Sequence, residues 1–338
     1  MDVRTGGDRR VRRPASAQAY MADIQRVLIT GGCGFIGANL VRLLRARTGW
    51  SLRVIDDLRA GTLRHVPDEL AEVRTGDVSD PALLEDALEG VDALVHLASE
   101  TGVTPSLEDP RRDFRGNAAT TFAVLETCRR RNVKRFVFAS SGAAIGDAPP
   151  PLHEELVPRP VSPYGAGKLV GEAYCQAYAG SFGLSTVALR FSNVYGPFSA
   201  HKKNAVPNFI KRSLEDRPIS IYGDGSQTRD FIHVDDLGDG ILRALVADGV
   251  AGEVFQLGTE TETSIADLAK LVRRTIDATA EIRFQPKRAG EVYRSRVDAS
   301  KARRLLGFAP AIVLHEGIGT TAQWYRDHWQ PGAERPVP

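Results

Sequence analysis

The chain has 338 residues, 42% of them hydrophobic, with 44 Lys and Arg against 42 Asp and Glu, a formal net charge of +2. That is enough chain for one large or two modest domains with real cores, and the near-balance of charge speaks against a nucleic-acid partner. No apolar run approaches the roughly 20 residues needed to cross a bilayer. Cys33, Cys128 and Cys175 are widely separated and lack metal spacing; they read as small buried fillers in a reducing cytoplasm, with no metal site.

The N-terminal residues are basic and polar, with Arg4, Arg9, Arg10, Arg12 and Arg13 and no apolar stretch to act as a signal. Residues 1–23 are expected to be a disordered extension, with Met21 as the natural start; a basic arm for an acidic partner is the alternative. The apolar run Arg26-Val27-Leu28-Ile29-Thr30 then leads into Gly31-Gly32-Cys33-Gly34-Phe35-Ile36-Gly37, followed by helical spacing through Ala38-Asn39-Leu40-Val41-Arg42-Leu43-Leu44. Strand, glycine turn and helix start is the context of a dinucleotide site. Gly31, Gly34 and Gly37 let the backbone, with Phe35 and Ile36, approach a pyrophosphate at the positive end of the helix.

The second strand ends in Asp56-Asp57, where the Asp56 carboxylate can accept both adenine-ribose hydroxyls and would repel a 2′-phosphate. That selects NAD, although Arg53 and Arg59 leave NADP open. Asp77 and Val78 end another strand and suit the adenine edge. Residues 91–98 form a continuous apolar run, the pattern of a buried parallel strand. Strands are predicted at 25–30, 51–55, 71–75, 92–97, 134–140 and 185–190. They alternate with helical patterns, which makes the fold α/β, a Rossmann-type doubly wound parallel sheet. Helices are expected near 205–216, 235–248, 264–278 and 314–328. The NAD-binding domain is placed at 24–196 with 231–260 returning to it. A smaller α/β C-terminal substrate domain is placed at 197–230 and 261–330, over the carboxyl ends of the strands.

Tyr164 and Lys168 are one helical turn apart. A phenol becomes a base near neutral pH only if its pKa, about 10 when free, falls; Lys168 and an oxidised nicotinamide would both pull it down. Ser141, at the end of Phe138-Ala139-Ser140-Ser141, can hydrogen-bond the oxygen that exchanges the proton.

These residues resemble the extended short-chain dehydrogenase/reductase family, in its nucleotide-sugar epimerase/dehydratase branch. The likeness runs from about 25 to 328. It rests on the Thr-Gly-Gly turn, Val95-His96-Leu97-Ala98, Asn117, Ser140-Ser141, Tyr164 with Lys168, and Leu189-Arg190-Phe191-Ser192-Asn193-Val194-Tyr195-Gly196-Pro197. It continues through the segment from Gly223-Asp224-Gly225 to Asp235-Asp236, then Arg288-Ala289-Gly290-Glu291, Asp298-Ala299-Ser300-Lys301-Ala302 and Leu306-Gly307.

The resemblance implies NAD contacts from Leu97, Ala98, Asn117, Ser140, Tyr164, Lys168 and Phe191. It implies a UDP-sugar held by Ser141, Asn193, Asn204, Val206, Tyr222, Arg229, Arg288, Glu291 and Ser295. Asn193, Arg229 and Arg288 would take the diphosphate and Glu291 the uridine ribose. A homodimer through helices near 112–130 and 164–180 is also implied, with Phe122, Val124, Leu125, Tyr174 and Tyr178 suited either to that contact or to the core.

Within the branch, dehydratases carry Asp-Glu after the catalytic hydroxyl residue and the glucuronate decarboxylase a glutamate at the second position; here stand Gly142 and Ala143. The branch's Val-Tyr-Gly is Ala144-Ile145-Gly146, which alters the sugar-side contacts. What remains is 4-epimerisation of UDP-glucose and UDP-galactose, with Ser295 leaving room for the acetamido group of UDP-N-acetylglucosamine or UDP-N-acetylgalactosamine. UDP-glucuronate is the rival: His201-Lys202-Lys203 offers cations, but Phe198-Ser199-Ala200 replaces the arginines of glucuronate epimerases after Gly-Pro. Another nucleotide-sugar dehydratase, a net oxidoreductase and a non-catalytic NAD-binding scaffold are further alternatives.

Overall fold

The computed structural model describes residues 23–287 and 293–330. Six strands come first, β1 Arg26–Thr30, β2 Ser51–Asp56, β3 Glu72–Thr75, β4 Ala93–His96, β5 Arg135–Ser141 and β6 Ser185–Phe191. Then follow β7 Asn193–Tyr195, β8 Ile219–Tyr222, β9 Thr228–His233, β10 Glu253–Leu257, β11 Glu262–Ser264 and β12 Ile282–Gln285. β10 joins the first six in a seven-stranded sheet of order β10-β6-β5-β4-β1-β2-β3, every neighbouring pair parallel. This is a Rossmann-like α/β sheet. The six predicted early strands all form, each within a residue or so of its expected bounds.

Parallel strands need crossovers, and the helices cover both faces, so the strands bury both their sides. On one face, helices Phe35–Arg47 and Val234–Val246 close a core around Val27, Ile29, Val54, Val95 and Leu189. On the other, helices Pro81–Ala87, Thr120–Arg130 and Pro163–Phe182 pack on Leu28, Ile55, Leu94, Phe136 and Phe138. Strand order reverses between β1 and β4, and ligands of open parallel sheets bind at the carboxyl side of such a point. Cys33, Cys128 and Cys175 are free and buried in these cores, as expected of fillers.

A third core lies in the C-terminal part, between helices Ala205–Leu214, Ile265–Ile276 and Leu314–His328. Its logic is amphipathic: Ile265, Leu268, Ala269, Val272 and Ile276 recur at helical spacing on one face, and Ser264 caps the start by accepting from the Asp267 N–H at 3.0 Å. Two small sheets, β11-β9-β7 and β12-β8, complete this part. No helix among the described residues is long and apolar enough to cross a membrane.

Helix Pro163–Phe182 carries the functional pair and is fixed at both ends. The Ser162 hydroxyl accepts from the Gly165 N–H at 3.1 Å, Pro163 occupies the first helical position, and Gly183 ends the helix at a φ of 71°. Two turns into it, Glu172 meets Arg190 of β6 in a bidentate pair, Nε to Oε1 at 2.8 Å and Nη2 to Oε2 at 2.7 Å. Both side chains are only 3% exposed. Such a pair adds modest net stability, but breaking it strands a buried charge. Glu172→Gln is therefore expected to cost about 3–5 kcal/mol, read from the urea unfolding midpoint.

Candidate active site

The glycine turn is built by close approach. A Cβ on Gly31 would stand 2.9 Å from the Ala98 nitrogen, and one on Gly37 would stand 2.3 Å from the Gly31 carbonyl oxygen. Glycine is required at both. The turn feeds helix Phe35–Arg47, whose N-cap Gly34 supplies no side-chain hydrogen bond. The first N–H groups of that helix are thus left to a ligand, and an anion is the ligand they favour.

Asp56, at the end of β2, is buried; its Oδ2 accepts from the Cys33 N–H at 2.9 Å and its Oδ1 from the Leu58 N–H at 2.8 Å. Burial pushes its pKa up and those two N–H groups hold it back. The carboxylate therefore ties the glycine turn to β2. Arg53 points elsewhere, donating to Glu72 Oε2 at 2.9 Å and to the Ala87 carbonyl at 2.7 Å. Arg59 pairs with Asp57, with Glu100 at 2.9 Å and with Asp77 at 3.4 Å. Neither arginine is a free partner for a 2′-phosphate. Asp77 Oδ1 accepts from the Ser79 N–H at 2.9 Å, and Val78 is buried against the sheet.

At the ends of β4 and β5 the polar groups converge. The Thr30 hydroxyl lies 2.7 Å from His96 Nδ1 and accepts from the Ala98 N–H at 3.2 Å. His96 packs against Phe136 and Phe138, and burial pushes it down to about 3, so it stays neutral. Leu97 and Ala98 line the turn. Asn117 sits on a π-helical turn, Arg115–Ala119, and joins Ser99 at 2.6 Å to Asp113 at 2.8 Å. Phe191, half-buried, ends β6.

Tyr164 and Lys168 lie over the end of β5, and the Ser141 hydroxyl hydrogen-bonds the Tyr164 phenol. Lys168 is buried; its ammonium donates to the Ala139 carbonyl at 2.8 Å and lies 5.8 Å from the Tyr164 ring centroid. Burial pushes Lys168 down to about 8, against the pull of Asp113 and Glu172.

Two expectations need correction here. Tyr164 is pushed up, not down: loss of hydration dominates, Asp113 adds to it, the Ser141 hydrogen bond only opposes it, and Lys168 is not close enough to reverse the sign. Ser140, expected at the cofactor, donates its hydroxyl to Glu172 instead.

On the sugar side, Asn193 begins β7 and pairs with Phe231 of β9, while Arg229 lies two residues earlier on β9. The Ser295 N–H donates to the Thr228 carbonyl at 3.2 Å, which brings Ser295 beside Arg229. Tyr222 ends β8, where its carbonyl accepts from Gln227 Nε2 at 2.8 Å. Asn204 is exposed at the start of helix Ala205–Leu214. The Val206 side chain is buried in the third core, so only its backbone is left for a ligand. Arg288 and Glu291 lie outside the described residues.

The Glu172–Arg190 pair, Asp113 and His96 were not singled out from sequence. Glu172 had a signal, since it follows Tyr164 and Lys168 at the same four-residue step.

The NAD dependent epimerase/dehydratase family matches residues 27–258. A UDP-glucose 4-epimerase of Mycolicibacterium smegmatis is 35% identical over 90% of this chain and 100% of its own length. A dTDP-glucose 4,6-dehydratase of Streptomyces niveus is 33% identical over 90% of this chain and 95% of its own. The crystal structure of a UDP-glucose 4-epimerase from Thermotoga maritima with UDP-glucose superimposes with a TM-score of 0.86, at 31% identity, over 90% of this chain and 100% of that one. With a parallel sheet of this topology, a glycine turn after its first strand and a Tyr164–Lys168 pair over the end of β5, the chain belongs to the NAD-dependent epimerase/dehydratase family, in the extended short-chain dehydrogenase/reductase branch.

Proposed function

We propose that the protein interconverts UDP-hexoses at C4, UDP-glucose with UDP-galactose and UDP-N-acetylglucosamine with UDP-N-acetylgalactosamine, through a transient 4-keto sugar. The observation that carries this is what surrounds Ser141. Gly142–Ala144 forms a tight turn in which the Ala143 N–H donates to Ser141 Oγ at 3.2 Å. No acid or base follows Ser141 to remove a proton at C5 or protonate a leaving group at C6, as dehydration demands. NAD, held at the Gly31–Gly37 turn, would supply a reversible hydride acceptor for C4.

The Tyr164 phenolate accepts the O4 proton as the C4–H bond breaks; once the keto sugar has turned so that the opposite face of C4 would receive the hydride, the phenol returns the proton to the carbonyl oxygen. Ser141 holds O4 in both orientations. Lys168 stabilises the phenolate and is placed to hold the nicotinamide ribose. Asn193 and Arg229 anchor the diphosphate while the hexose turns over, and Ser295 leaves space at C2.

A second reading, UDP-glucuronate as substrate, is favoured by Lys202. Its ammonium is half-buried and reaches Thr101 Oγ1 at 3.3 Å, across from the loop after β4. Among the described residues no carboxylate stands within ion-pair distance of it. A cation so placed suits a substrate carboxylate better than a purely solvated one would.

We also propose a homodimer. Val124, Leu125 and Tyr178 are core, whereas Phe122 and Tyr174 are 42% and 38% exposed and stack at 5.2 Å, flanked by Val170 and Phe182. That is an apolar strip on two adjacent helices, Thr120–Arg130 and Pro163–Phe182, of the kind a second copy covers.

With NAD and UDP-glucose, NMR is expected to show UDP-galactose forming with almost no free NADH; a 4-keto-6-deoxy product would overturn the reading. Tyr164→Phe is expected to lower kcat between about a hundredfold and ten thousandfold with NAD binding retained. Ser295→Tyr is expected to abolish turnover of the N-acetylated sugars and spare UDP-glucose. If Lys202 reads a uronate, UDP-glucuronate turns over and Lys202→Ala raises its KM selectively. Phe122→Glu with Tyr174→Glu is expected to yield a monomer by light scattering.

A further inference from the structure

Asp113 is a buried carboxylate that the reaction above does not use. It lies in the short helix Pro110–Phe114, is 3% exposed, and accepts from Asn117 Nδ2 at 2.8 Å. No cation stands within ion-pair distance of it among the described residues. Burying a carboxylate on one neutral hydrogen bond is costly unless a charge nearby compensates.

The packing says which charge does so. Gly167 immediately precedes Lys168, and a Cβ there would stand 3.5 Å from Asp113 Oδ2 and 3.1 Å from Asn117 Cβ. A Cβ there would be tight against Asn117, the hydrogen-bond partner of Asp113, and in ordinary contact with the carboxylate itself, which lies up against the catalytic helix between the levels of Tyr164 and Lys168. Other charged groups around it are already matched. Glu172 is taken by Arg190. Glu100, from the loop after β4, is held by Arg59 at 2.9 Å and by Arg112 at 3.0 Å. His96, beneath Lys168, is neutral. Lys168, the residue after Gly167, is buried and, among the described residues, stands in no ion pair with a carboxylate.

We propose that Asp113 is the counter-charge of the catalytic pair, a positioning residue that keeps the Lys168 ammonium charged in its buried setting and restrains Tyr164 from ionising until NAD is bound. This rests on Tyr164 and Lys168 acting as the acid–base pair. The local electrostatics have the matching signs: Asp113 raises both Lys168 and Tyr164, and although burial pushes Asp113 itself up, Lys168 opposes that rise in favour of the ionised carboxylate.

The sign is definite. Removing a negative charge favours phenolate and disfavours ammonium, so both ionisations move to lower pH. The NAD-saturated Asp113→Asn protein is expected to shift both limbs of its kcat–pH profile acidward by about one pH unit, the scale for a unit charge several ångströms away at an effective dielectric of about 20. Tyr164 ionisation, read directly as the tyrosinate difference spectrum against the Tyr164→Phe protein, is expected to shift the same way, and Asp113→Glu to restore both. Asp113→Ser serves where the asparagine variant does not fold. Midpoints that stay put while kcat falls would leave Asp113 with only a structural part and overturn the proposal. A fully active Tyr164→Phe protein would instead overturn the acid–base reading beneath it.

Discussion

The site depends on how closely helix Pro163–Phe182 lies on the end of β5 and its neighbours. Tyr164, Lys168 and Glu172 recur every four residues, so their side chains descend one face toward the sheet. Each must find a partner there, because a polar group buried alone costs more than the helix could repay. Ser141 meets Tyr164, the Ala139 carbonyl meets Lys168, and Arg190 with Ser140 meets Glu172. The row of partners comes from two adjacent parallel strands in register, with Ser140 opposite Arg190 and Ser141 opposite Phe191.

Glycines permit the approach. A Cβ on Gly165 would lie 2.3 Å from the Ala143 carbonyl oxygen, and one on Gly171 would lie 2.3 Å from the Phe138 ring. With Gly167 they give up about 2 kcal/mol of helix propensity relative to alanine, which tight packing and the buried polar contacts offset. A helix of this composition would be a poor one in isolation. It is stable because its face is matched, and the matched face is also the functional one.

This explains what could be read from the sequence and what could not. Strands β1, β2 and β4 to β6 were legible because parallel strands buried on both faces are mostly apolar runs, whereas β3 is a half-exposed edge strand marked by the Gly76-Asp77 that follows it. β7, β11 and β12 are only three or four residues long, half-exposed, and exist through their neighbours. Tyr164, Lys168 and Ser141 were legible as spacing before a helix and after a strand. Asp113 was not, because a carboxylate in Asp109-Pro110-Arg111-Arg112-Asp113 has the pattern of a solvated turn. Its burial follows from packing against helix Pro163–Phe182 at Gly167, 54 residues away in the chain.

The inverted sign at Tyr164 bears on how the chemistry is timed. Burial holds the phenol protonated, and Lys168, itself pushed down to about 8, does not overcome it from its place on the Ala139 carbonyl. A base that is unready in the protein alone becomes ready when a positive charge arrives beside it. In a family that binds oxidised NAD, the nicotinamide would supply that charge, and would cease to do so once reduced. The phenol would then again be the favoured form, at the moment when it must hold the proton for the return step. Burial, usually the enemy of a catalytic base, would here couple proton to hydride.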